Sequence, residues 1–157
     1  MKLFSVNQDT ETQVGLEIKL LDIKEEQGQS WQYYQIELHN GTETQLYSSK
    51  EKTITTTVGT KGEIGKFAFA IAPHNELEHF KEQLNLFIQN KTASFRFEPS
   101  DPSFELIIER LPDLGEGENF KVYFWIDAGN TKSLECTWDA IGVRFITNLV
   151  QIQNFSS

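Results

Sequence analysis

The chain has 157 residues, a formal net charge of −9, 38% hydrophobic residues and 24% charged residues. That length fits one domain with its own core, and the composition excludes a disordered chain. The acidity runs through both halves, with seven basic against twelve acidic residues in 1–80 and seven against eleven in 81–157. Neither half therefore reads as a nucleic-acid module, whose Lys and Arg must replace the counterions of a phosphate backbone.

In QVGLEIKLLDI (13–23), Val14, Leu16, Ile18 and Leu20 share one face, and Gly15, Glu17 and Lys19 the other. That is the period of two of a half-buried strand. EEQGQS (25–30) is a turn. In WQYYQIELHN (31–40), Tyr34, Ile36 and Leu38 point one way, and Trp31, Tyr33, Gln35 and Glu37 the other. Asn40-Gly41 signals a hairpin, because both residues tolerate positive φ. A short strand near 44–47 follows, then the β-branched strand KTITTTV (52–58). GTKGEIG (59–65) connects to KFAFAIA (66–72), where Phe67, Phe69 and Ile71 alternate with alanines. The alanine face lets the next element approach closely.

That element is a helix over about 75–90. Asn75 is its N-cap, with Glu78 three residues on as in a capping box. Leu77, Phe80, Leu84, Phe87 and Ile88 form one apolar stripe. Strands return at 93–98, 104–110, 119–127, 133–138 and 141–147. The segments 111–119 and 127–132 are loops, and NLVQIQNFSS (148–157) is a short apolar helix or a loose end. The predicted class is α+β: a mostly antiparallel β-sheet packed with one long central helix, in a single domain.

No apolar stretch nears the ~20 residues of a spanning helix. The opening MKLFSVNQDT lacks the apolar core of a secretory signal. Cys136 is the one cysteine, so no intrachain disulfide forms. These features predict a cytoplasmic protein with no membrane association. They say nothing of oligomeric state.

The sequence predicts no metal site and no cofactor. His74 and His79 lie five apart, not at the i, i+4 spacing that puts two ligands on one helical face. No Cys/His quartet exists. Cys136 sits inside a predicted strand with no histidine near it and reads as structural. No nucleophile elbow, Walker or dinucleotide glycine pattern occurs. In GEGEN (115–119) the carboxylates repel a phosphate. The chain is thus expected not to be an enzyme. Two features remain. The first is a run of carboxylates, Glu98, Asp101, Glu105, Glu109, Asp113, Glu116 and Glu118, suited to a basic protein partner. The second is a set of aromatics set opposite the core side of their strands, Trp31 with Tyr33 and Tyr123 with Trp125, suited to stacking on a sugar or a partner. For the aromatics, a sheet covered on both faces is the simpler expectation. Glu98 can cap its turn, pair with Arg96 or Arg110, or face a partner, in that order.

A helix with the pattern L-x-x-F-x-x-x-L, then FRFEPSDPSFEL, then KVYFWIDAG, resembles the WapI-type immunity proteins of bacteria. Phe97, Glu98, Pro99 and Phe104 match that family's Phe-x-Glu-Pro turn and following strand. The resemblance spans about 75–147; the helix lacks that family's tryptophan, and the N-terminal half lies outside the match. It implies an acidic, non-catalytic protein that neutralises a cognate toxin. The alternatives are a carbohydrate or small-molecule binding domain built on the outward aromatics, and a purely structural or interaction role.

Overall fold

The computed structural model describes residues 1–6, 14–26, 28–40, 43–48, 53–58, 67–71, 76–98, 104–127 and 140–157. In chain order the elements are β1 (Lys2–Phe4), β2 (Val14–Glu26), β3 (Gln29–Asn40), β4 (Glu43–Ser48), β5 (Thr53–Val58) and β6 (Phe67–Ile71). Then come α1 (Glu76–Gln89), β7 (Ser94–Phe97), β8 (Phe104–Arg110), β9 (Asn119–Asp127), β10 (Ala140–Asn148) and α2 (Leu149–Ser156). The class is α+β with antiparallel pairing, as the alternation predicts. The strands divide into two sheets, however, and of the two alternatives for the tail it is the short apolar helix that forms. The expected strand at 133–138 with Cys136, the corner at 99–103, the Asn75 cap and the 59–65 connection fall outside the described residues.

The first sheet runs β1-β2-β3-β4-β5, and β6 also pairs with β3. Strand β3 has two partners on one edge: 35–40 pair with 43–48, and 30–34 pair with 67–71. Gly28, at φ 75°, sits in the β2–β3 hairpin in the left-handed region that glycine enters without cost. A bulge between Leu20 and Asp22 adds local twist. The second sheet runs β10-β9-β8-β7. Helix α1 carries the chain from the first sheet to the second.

The inward faces of both sheets and one stripe of each helix meet in a single core. Leu3, Leu16, Ile18, Ile36 and Leu38 come from the first sheet, and Phe95, Leu106, Ile108, Phe120, Val122, Phe124 and Phe145 from the second. Phe80, Leu84 and Phe87 come from α1, and Ile152 and Phe155 from α2. The helical stripe read from the sequence is thus the buried one. Strand β1, three residues long and too short to show a period, adds an edge to β2 and closes the gap to the second sheet. Val6 N–H donates to the Ile146 carbonyl at 3.1 Å, and the Thr147 hydroxyl donates to the Phe4 carbonyl at 2.8 Å.

Around its centre the first sheet is buried on its polar face as well: Glu17 and Glu37 are both buried. Burial pushes the Glu17 carboxyl up, but the ammonium groups of Lys19 and Lys2 outweigh it and hold the group below its ordinary 4.5. Gly15 lets β1 lie flat here, because a Cβ at that position would run into the Leu3 carbonyl and Phe4. Gly15→Ala is expected to push β1 away and to destabilise by about 1–3 kcal/mol. Thermal melting measures the loss, and faster hydrogen exchange at the Ile18 amide, which donates to the Met1 carbonyl, locates it.

Candidate functional site

Outward residues of the second sheet lie in rows set by its register. One row is Arg96, Ile107, Tyr123 and Arg144, and the next is Glu105, Trp125 and Gly142. A third is Ser94, Glu109, Lys121 and Ile146. Tyr123 and Trp125 therefore do stand opposite the core, half-buried by their neighbours, with ring centroids 5.9 Å apart. The Trp125 indole donates to Glu105 at 3.1 Å, and Lys121 Nζ lies 5.5 Å over the Tyr123 ring. Trp31 and Tyr33 lie on β3, in the other sheet, so the two aromatic pairs do not form one row.

Six of the seven carboxylates lie among the described residues, after β7, on β8 and on the loop that follows. Glu105 is tied to Arg96 Nε at 2.5 Å, and Glu98 meets Arg96 at 3.9 Å. Of the roles open to Glu98, the pair with Arg96 is the one observed, and Arg110 is engaged elsewhere. Glu109 is exposed on β8, directly opposite Lys121. Asp101 falls outside the described residues. Asp113, Glu116 and Glu118 belong together, on the loop 111–118.

This loop is held at both ends. Leu111 N–H donates to the Asn119 carbonyl at 2.9 Å, and Leu149 N–H to the Glu118 carbonyl at 3.2 Å. Asp113 Oδ1 accepts from Gly115 N–H at 2.8 Å, an Asx turn, and Gly115 and Gly117 sit at φ 91° and 90°. The base is locked by Arg110, whose side chain is 14% exposed. Its guanidinium bonds Glu118 Oε1 at 2.6 Å, the Phe87 carbonyl at the end of α1 at 3.3 Å, and the Thr92 carbonyl at 3.3 Å. It also lies 5.2 and 4.9 Å from the ring centroids of Phe87 and Phe120.

Beside the loop lies a groove of about 720 Å³. Its walls come from the loop, from β10 through Ile146, from the start of α2 through Val150, and from Val6 after β1. Val6, Leu114, Ile146 and Val150 are 38%, 88%, 42% and 59% exposed. Among the described residues only two other large hydrophobics, Ile23 and Leu86, are comparably exposed. Single exposed apolar residues are ordinary; four gathered in one concavity are not. Glu116 stands on its loop side and Asp113 is on the same loop; neither forms an ion pair with a described residue. Glu118 is paired with Arg110. Of the carboxylates named from the sequence, Glu116 and Glu118 line the groove, and the apolar floor was not read from the sequence. The signal was Leu114, an apolar residue set among Asp113, Gly115 and Glu116. Val6, Ile146 and Val150 carried no signal, since only the fold brings them to it.

Among the described residues no helix is long and apolar enough to cross a membrane. No family model, curated protein or solved structure matches this chain.

Proposed function

We propose that the chain is a non-catalytic protein-binding module that takes a basic partner in the groove between the 111–118 loop, β10 and α2. The observation that carries this reading is the gathering of Val6, Leu114, Ile146 and Val150 in one groove with Glu116 and Glu118. An apolar floor supplies affinity by excluding water, and an acidic rim steers and selects a partner rich in Lys and Arg. The loop is pre-organised by its Asx turn and by Arg110, so little ordering entropy is lost on docking. A toxin-neutralising, immunity-like role in the cytoplasm is the specific form of this reading, and it rests on the Phe97-Glu98-Pro99 and Phe104 resemblance.

The test is partner affinity in Leu114→Asp. Leu114 is 88% exposed, so the fold is expected to lose no more than about 0.5 kcal/mol. Binding is expected to weaken by at least about 10-fold, the effect of losing one hot-spot contact. Added salt is expected to weaken the wild-type complex further, as the rim is screened. Wild-type affinity in Leu114→Asp would remove the groove from the interaction.

The outward Tyr123–Trp125 pair supports a second reading, carbohydrate or small-molecule binding on the sheet face. Binding to a glycan panel that is lost in Trp125→Ala and kept in Leu114→Asp would favour it.

A further inference from the structure

On the other sheet, the polar face of β2 and β3 carries a cluster that the docking groove does not use. Glu17 and Glu37 are direct cross-strand partners, and His39 follows Glu37 two residues on, on the same face. One donor atom from each of the three lies within 4.8 Å of the others. The Glu37 side chain is 1% exposed, and neither of its oxygens accepts a hydrogen bond. A buried carboxylate without donors is costly unless something else neutralises it. Glu17 has its own partners, Lys19 at 3.2 Å and Lys2 at 3.4 Å. Among the described residues Glu37 is paired with the His39 imidazole alone, whose Nε2 lies 2.9 Å from Oε1 in a geometry that is not a hydrogen bond.

We infer that Glu17, Glu37 and His39 form a binding site for a divalent transition-metal ion of the zinc class. Donor atoms on one such ion, with bonds of about 2.0–2.2 Å, lie about 3–3.5 Å apart, so the 2.9 Å between Glu37 and His39 is close to the spacing of two ligands on one ion. Two carboxylate oxygens and one imidazole nitrogen suit zinc, manganese or iron(II), and the absence of a thiolate disfavours soft ions. The Phe4 ring packs edge-on against the imidazole at 5.2 Å and helps hold it in place. Lys2 and Lys19, 65% and 40% exposed, can swing into solvent and release Glu17 to the ion. A bound ion would bridge β2 and β3 at the point where β1 joins them.

The test uses the full chain, stripped by a chelator and titrated with Zn²⁺ alone. Calorimetry is expected to show one saturable ion per chain. NMR of the three histidine side chains is expected to show the His39 imidazole shifting while His74 and His79 stay in place. Glu37→Gln, which keeps the shape and removes the charge, is expected to weaken binding by at least about 10-fold, a loss that even outer-shell partners produce. No Zn²⁺ binding, a shift confined to His74 or His79, or unchanged affinity in a folded Glu37→Gln protein would each overturn the assignment. If Glu37→Gln does not fold, the wild-type histidine spectrum decides.

Discussion

Phe155→Ala is expected to destabilise the chain by about 3–5 kcal/mol, the largest effect among the substitutions considered. Phe155 is fully buried on α2, and its ring meets that of Phe80 on α1 edge-on at 5.8 Å. Helix α2 packs against β1, β10 and α1, so this side chain sits where both sheets and both helices converge. Removing it empties a volume that fixed elements on several sides cannot close. The helix itself stays viable, since Asn148 caps it by accepting from Gln151 N–H at 3.0 Å. Ser156 further fastens it to α1 through Asn85 Oδ1 at 3.0 Å. Denaturant unfolding measures the effect. A fall in midpoint at unchanged slope is expected; a loss below about 1 kcal/mol would show that α2 lies outside the cooperative core.

Arg110→Ala is expected to cost about 2–4 kcal/mol, less than a fully buried pair because its side chain and that of Glu118 are 14% and 27% exposed. The loss has three parts: Glu118 is left unpaired, the Phe87 and Thr92 carbonyls lose a donor, and two aromatic rings lose their cover. Arg110→Lys is expected to restore little, because an ammonium lacks the planar fork that reaches all three acceptors while stacking on rings. The same substitution frees the base of the 111–118 loop, so partner affinity is expected to fall with stability. Leu114→Asp separates the two effects, since it alters binding without touching Arg110.

The strands and the helix were legible because their patterns depend only on near neighbours. Phe104, Leu106 and Ile108 alternate with polar or half-buried residues, and Phe80, Leu84 and Phe87 recur at helical spacing; each set is buried as read. The division into two sheets was not legible, because alternation shows which face a residue takes and not which strand it pairs with. Register decides the rest. Glu17 and Glu37 are twenty residues apart and become neighbours only through the β2–β3 hairpin. The sequence names Arg110 only as a candidate partner for Glu98, and its reach to the end of α1 follows from the fold alone. The groove is the same case: Leu114 is conspicuous in its loop, while Val6 and Val150 come from opposite ends of the chain.

The most direct measurement of the docking account is site-specific photo-crosslinking in host extract, with Leu114→p-benzoylphenylalanine compared against the same replacement at Ile23. Ile23 is 53% exposed and lies on β2, away from the groove. The account predicts one discrete adduct with a basic protein from position 114, absent from position 23 and suppressed by added salt. Adducts that are the same from both positions, or a self-adduct of two copies of this chain from position 114, would contradict it.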